Sequence, residues 1–142
     1  MKIRLLMLGK TRRPEMNALL ADYLKRIGRT CAIELAEVRD GEAALKRLNA
    51  DRAATTLLLD AGGKLHDSLA FAKWIREQRD RGTREIVFVC GDADGFPDEI
   101  RERVKQKISL SAMTYSHELA RVMLVEQIYR AFAILSGSPY PK

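Results

Sequence analysis

The sequence has few of the residues that build metal centres or covalent staples. It holds two cysteines and two histidines in 142 residues. Cys31 and Cys90 both fall in strand-like apolar stretches, so they read as buried free thiols rather than a disulfide or a ligand pair. His66 and His117 have no cysteine or second histidine at ligand spacing, which argues against a metal site. No apolar run approaches the roughly 18 residues of a membrane span. The apolar opening, Lys2 to Leu8, reaches Gly9-Lys10 before a signal-peptide core is complete. It reads as a buried first strand, and the protein as cytoplasmic. Repeats, linkers and low-complexity segments are also missing, so a single domain over 1–142 is expected. At 46% hydrophobic residues there is enough for one sizeable core.

Familiar catalytic signatures are missing as well. Gly91-x-x-x-Gly95 follows a strand, but it is neither G-x-G-x-x-G nor followed by a Walker lysine. Tight backbone geometry explains those glycines better than a phosphate cradle. Asp92-x-Asp94-Gly95 is not a calcium loop, because Arg103 stands where the bidentate glutamate belongs. There is no G-x-S-x-G and no nucleophile flanked by a base, which disfavours covalent hydrolysis.

What is present is an alternation. Near-continuous apolar strands are read at Lys2–Leu8, Thr55–Leu59 and Ile86–Cys90, with a half-buried one at Cys31–Val38 and a short one at Ile108–Leu110. Helices are read between them: from Pro14, a good first-turn residue, to Gly28; after the cap Asp40; from the cap Ser68 to near Gly82; and over Asp98–Lys105. Strands apolar on both faces imply a mostly parallel α/β sheet covered by helices on both sides. Ligands bind such sheets outside the carboxyl ends of the strands. Asp60–Lys64, Gly91–Phe96 and Ser111–Tyr115 are the turns expected there.

The last helix is the most apolar. Leu119, Val122, Met123, Ile128, Tyr129, Phe132 and Leu135 recur at helical spacing, and Leu124, Val125, Ala131 and Ala133 fill other sides. Such a helix needs a core on one side and further cover on the other, for which a second subunit is expected. Arg121, Glu126 and Arg130 interrupt it. They read either as an exposed edge with an i,i+4 pair or as an interior or interface ion pair. The net charge of +6, from 25 Lys+Arg against 19 Asp+Glu, permits an RNA partner without demanding one.

Several spaced motifs carry a resemblance across nearly the whole chain. They are Leu58-Leu59-Asp60-x-x-Gly63-Lys64, Ser68-x-x-Phe71-Ala72, Phe88-Val89-Cys90-Gly91-x-Ala93-Asp94-Gly95, Ser109-Leu110-Ser111-x-Met113-Thr114-x-x-His117-x-x-x-Arg121 and Glu126-Gln127-Ile128-Tyr129-Arg130-Ala131-Phe132. Together they resemble the RlmH family of the SPOUT superfamily, large-subunit rRNA pseudouridine N3-methyltransferases. The resemblance implies a parallel α/β sheet with a C-terminal trefoil knot, a homodimer, S-adenosyl-L-methionine as cofactor, and N3 of a pseudouridine in 23S rRNA of assembled ribosomes as target. It assigns cofactor contacts to Leu59, Gly91, Leu110, Ser111, Ala112, Met113, Thr114 and Tyr115. Substrate-side or catalytic roles go to the tail residues Tyr140 and Lys142, with Arg12 and Arg13 as further RNA contacts.

Three positions depart from the family pattern. Asp92 replaces the second glycine of a Gly-Gly pair; its carboxylate is expected to face solvent, the alternatives being the cofactor's sulfonium or a ribose hydroxyl. Ser116 replaces a common proline. Pro141 stands where the family's tail histidine belongs, so Tyr140 and Lys142 would have to suffice. The alternative reading is therefore a catalytically impaired ribosome- or RNA-binding relative that keeps the knot. A signalling receiver domain, with Asp60 and Lys107 as its acceptor and partner, lacks the early acidic pair in Lys2-Ile3-Arg4-Leu5.

Overall fold

The computed structural model describes residues 1–140. Five parallel strands form one sheet in the order β2-β1-β4-β3-β5. They are β1 (Lys2–Leu8), β2 (Ala32–Val38), β3 (Thr55–Leu65), β4 (Glu85–Cys90) and β5 (Lys107–Ser109). Helices α1 (Pro14–Ile27), α2 (Gly41–Ala50), α3 (Ser68–Asp80), α4 (Asp98–Arg103) and α5 (His117–Ser136) cover both faces.

The alternation of side chains along a strand sorts the core into two layers. Ile3, Leu5 and Met7 of β1, with Ile86 and Phe88 of β4, face α1, α3 and α5. Leu6 and Leu8, with Val87 and Val89, face α2 and α4. Both central strands are buried on both faces, as their continuous apolar runs required.

Three local expectations are corrected. β3 does not stop at Leu59; it runs through the Asp60–Gly63 excursion to Leu65 and pairs β5 a second time, Lys64 and Leu65 with Ile108 and Ser109. Gly63 allows this because a Cβ there would sit 2.7 Å from the backbone of Lys107 and Ile108. Gly63 marks a close approach of β3 to β5 rather than a simple turn. Second, Asp67 caps α3, its carboxylate accepting the Ala70 N–H at 2.7 Å. Ser68 is the first helical residue, and its hydroxyl donates to Gln127. Third, the extra apolar surface of α5 is largely absorbed within the chain, since the helix lies against the sheet with α1 and α3 on its flanks. Leu119 stays partly exposed despite its place in the stripe.

Candidate active site

The three expected segments meet beside the Leu59–Ala61 stretch of β3 and at the carboxyl ends of β4 and β5. They enclose an open cavity of about 450 Å³, large enough for a cofactor of nucleoside size. Leu59 forms one wall, Gly91 another, and Leu110, Ser111, Met113, Thr114 and Tyr115 the third. Of the sequence-assigned cofactor residues, only Ala112 is absent from the lining. His117 and Ala120, from the first turn of α5, close the floor.

Each wall is shaped by backbone chemistry. At Gly91 a Cβ would lie 2.8 Å from the Gly95 carbonyl oxygen, so any side chain would force the 91–95 turn to shift. Asp92 accepts the Asp94 N–H at 2.8 Å and is exposed. Its carboxylate fastens its own turn, a use the three sequence alternatives did not include. Across the cavity, Ser109 Oγ donates to Ser111 O (2.8 Å), and Ser111 Oγ accepts the Met113 N–H (3.0 Å). Small hydroxyl side chains thus hold this loop in shape while Met113 stays 72% exposed above it.

The rim carries charge. Asp60 accepts from Arg101 Nη1 at 2.7 Å and from the Gly62 N–H at 3.0 Å, and Arg101 lies over the Phe96 ring. The Gly62 N–H, then the Arg101 guanidinium, hold the Asp60 carboxyl below its usual range. It is therefore a stable anion beside the cavity. Cys90 belongs to the cavity lining but is buried, and burial pushes its thiol up to about 12. Among the described residues no cluster of three metal-ligating side chains occurs, and no helix is long and apolar enough to cross a membrane.

Sequence reasoning missed the polar centre beneath this cavity. Arg121 is completely buried, yet among the described residues no carboxylate pairs with it. Its Nη2 donates to Leu8 O (2.6 Å) and Gly91 O (3.1 Å), and its Nη1 to Gly9 O (3.1 Å) and Thr11 Oγ1 (2.9 Å). Burial pulls its pKa below the ordinary arginine value. Main-chain carbonyls have no signature in a sequence, so only a strongly polar residue inside an apolar helix could have hinted at them.

The tail is placed elsewhere. Tyr140 packs edge-on against Tyr129 (4.6 Å between centroids), donates to Glu126 Oε2 (2.9 Å) and shares a hydrogen bond with Tyr23 Oη (3.1 Å). It lines no part of its own chain's cavity. Burial, then the hydrogen bonds to Tyr23 and Glu126, raise its pKa. Glu126 also pairs with Arg130 at 2.7 Å, on a half-buried face against α1. Pro141 and Lys142 lie outside the described residues.

Comparison with known proteins decides the family. The family described as "Predicted SPOUT methyltransferase" matches residues 1–141. The chain belongs to it. Within it, the chain is 43% identical over 151 aligned residues, covering 99% of both chains, to ribosomal RNA large subunit methyltransferase H of Pelobacter propionicus. This places it in the RlmH group, as the motifs had indicated. Solved SPOUT-like structures share the fold at low identity. The tRNA (m1G37) methyltransferase of Aquifex aeolicus superposes with TM-score 0.61 at 16% identity, covering all of this chain and 75% of that one. A methyltransferase of Legionella pneumophila, solved with SAM bound, gives TM-score 0.57 at 16% identity over 92% of this chain and 66% of that one.

Proposed function

We propose that this protein transfers a methyl group from S-adenosyl-L-methionine to N3 of a pseudouridine in 23S rRNA, acting as a cytoplasmic homodimer on assembled ribosomes. The convergence of Leu59, Gly91 and the 110–115 loop on one cavity carries this reading. The cavity suits the cofactor chemically. Leu59, Leu110 and Met113 offer apolar surface to a purine, and the loop's backbone groups can pair its edge. Gly91, whose missing side chain leaves room for the Gly95 backbone, keeps the 91–95 wall in its present shape. When bound, the cofactor supplies an electrophilic methyl, so the protein's task is mainly alignment.

The whole chain, 1–142, is read as one SPOUT domain. Membership of the SPOUT family supports a knotted C-terminal part, in which β3 and β5 pack closely at Gly63. Support for a homodimer comes from an apolar surface beside the cavity. Leu65 and Leu69 are 58% and 69% exposed, next to a groove between α3 and α5 lined by Phe71, Ile108 and Met123. A dimer also answers the position of Tyr140, because a tail remote from its own cavity can serve a partner's. The second reading, a catalytically impaired relative, is favoured by the same fact: the Tyr140 hydroxyl is held by Glu126 and Tyr23. Incubating the protein with ribosomes and S-adenosyl-L-methionine, then analysing rRNA nucleosides by mass spectrometry, separates the two. A new N3-methylated pseudouridine is expected; unchanged rRNA supports the impaired relative.

A further inference from the structure

The β1–α1 loop, Gly9 to Arg13, pairs few of its main-chain groups within itself; side chains from elsewhere hold it. Thr11 N–H donates to Glu37 (2.7 Å), and Thr11 O accepts from Asn17 (2.7 Å). The N–H groups of Arg12 and Arg13 both donate to the Glu118 carboxylate, each at 3.0 Å. Leu8 O and Gly9 O accept from Arg121. Glu118 and Arg121 are i,i+3 on α5 and so share one face of its first turns. The carboxylate serves the loop's donors, and the guanidinium serves its acceptors. Arg121 also binds Gly91 O, which belongs to the cavity wall. The segment leading into this helix, 110–116, is the opposite wall.

The clamp fixes backbone and leaves cations free. Lys10, Arg12 and Arg13 have exposed side chains; Arg13 pairs with Glu15, whereas Lys10 and Arg12 have no ion pair among the described residues. We infer that Glu118 and Arg121 are positioning residues that lock the basic Lys10–Arg13 loop to the cofactor cavity, so that rRNA held by the loop sits at a set distance from the methyl group. This rests on the functional reading above. A lysine at 121 could not reproduce the arrangement, because a point ammonium cannot serve carbonyls at both Leu8 and Gly91 as a planar fork does.

Two readouts test the clamp. Glu118→Gln and Glu118→Ala should speed hydrogen exchange at the Arg12 and Arg13 amides by about tenfold or more, whether or not the protein methylates anything. In ribosome methylation assays the same variants should raise KM for ribosomes about tenfold, with kcat and cofactor affinity within about twofold of wild type. Glu118→Gln, which keeps one acceptor oxygen, should recover part of the loss in Glu118→Ala. Arg121→Lys should weaken both ribosome KM and cofactor affinity; if it does not fold, the Glu118 pair decides alone. Unchanged amide exchange overturns the clamp, as does an equal fall in ribosome and cofactor affinity in the Glu118 variants. A wild-type protein that binds no cofactor refutes the functional reading instead, leaving the exchange result to judge the clamp.

Discussion

Helix α5 carries two polar clusters that solve the same problem in opposite ways. In its first turns, Arg121 is fully buried and finds only main-chain carbonyls and a threonine hydroxyl; its pKa is pulled down by burial. Toward its end, Arg130 keeps partial access to water and pairs with Glu126, whose carboxylate raises its pKa. The first cluster joins α5 to the end of β1 with its following loop and to the cavity wall at Gly91, three parts distant in sequence. The second joins α5 to the chain's own tail through Tyr140. A buried charge bound to backbone cannot be removed without leaving several acceptors stranded. An ion pair near the surface contributes little by itself and is easily rearranged. One end of the helix is built to stay fixed, while the other holds a segment with a low cost of release.

The largest effect should come from breaking the fixed end. Arg121→Met leaves Leu8 O, Gly9 O and Gly91 O without their donor and should cost on the order of 3–5 kcal/mol in urea unfolding. A loss below about 1 kcal/mol would show that the two clusters do not differ in kind. Next is Gly63→Ala, which places a Cβ 2.7 Å from backbone atoms of β5 that have no freedom to yield. About 2–3 kcal/mol or a failure to fold is expected, read by the same denaturation. At the releasable end, Tyr140→Phe removes the hydroxyl shared by Glu126 and Tyr23 and should cost only about 1 kcal/mol. Thermal unfolding of Tyr140→Phe beside Arg121→Met makes the contrast direct.

A pH series sharpens it further. The Arg12 and Arg13 N–H groups, in that order, hold the Glu118 carboxyl below its usual range, with His117 and Arg121 adding to the effect. A carboxyl whose folded pKa is depressed contributes stability above its unfolded pKa of about 4.3 and loses it as pH falls through the folded value. Protection of the Arg12 and Arg13 amides should therefore vanish on acidification below about pH 4, read by NMR. The smallest effect concerns Cys90. With its thiol pushed up to about 12, it should stay unalkylated by iodoacetamide at pH 8 until the protein unfolds.

The sequence shows the strands, because β1 and β4 are apolar on both faces and no helix period competes. Pro14, Gly28 and Asp40 mark helix ends through local chemistry, and each acts where expected. The cavity was legible because its walls are turns at strand ends, carried by small residues within recognisable motifs. Gly63 was misleading: a glycine chosen for close approach looks, in sequence, like one chosen for a turn. Asp67 and Ser68 are adjacent cap-forming residues, and only the geometry of the chain's entry decides between them. Arg121 and Glu118 were opaque for a deeper reason. Their partners are backbone groups of the 8–13 and 91 segments, which become neighbours only once the sheet has formed.

Methyl transfer by this chain requires the cavity beside β3 and at the ends of β4 and β5 to be a cofactor site. Calorimetric titration of the purified protein with S-adenosyl-L-methionine tests this most directly, with Gly91→Ala as a variant that displaces the 91–95 turn of the wall. Saturable binding by the wild type, weakened at least about tenfold in Gly91→Ala, is the predicted result. No heat of binding from a folded wild-type protein would contradict it.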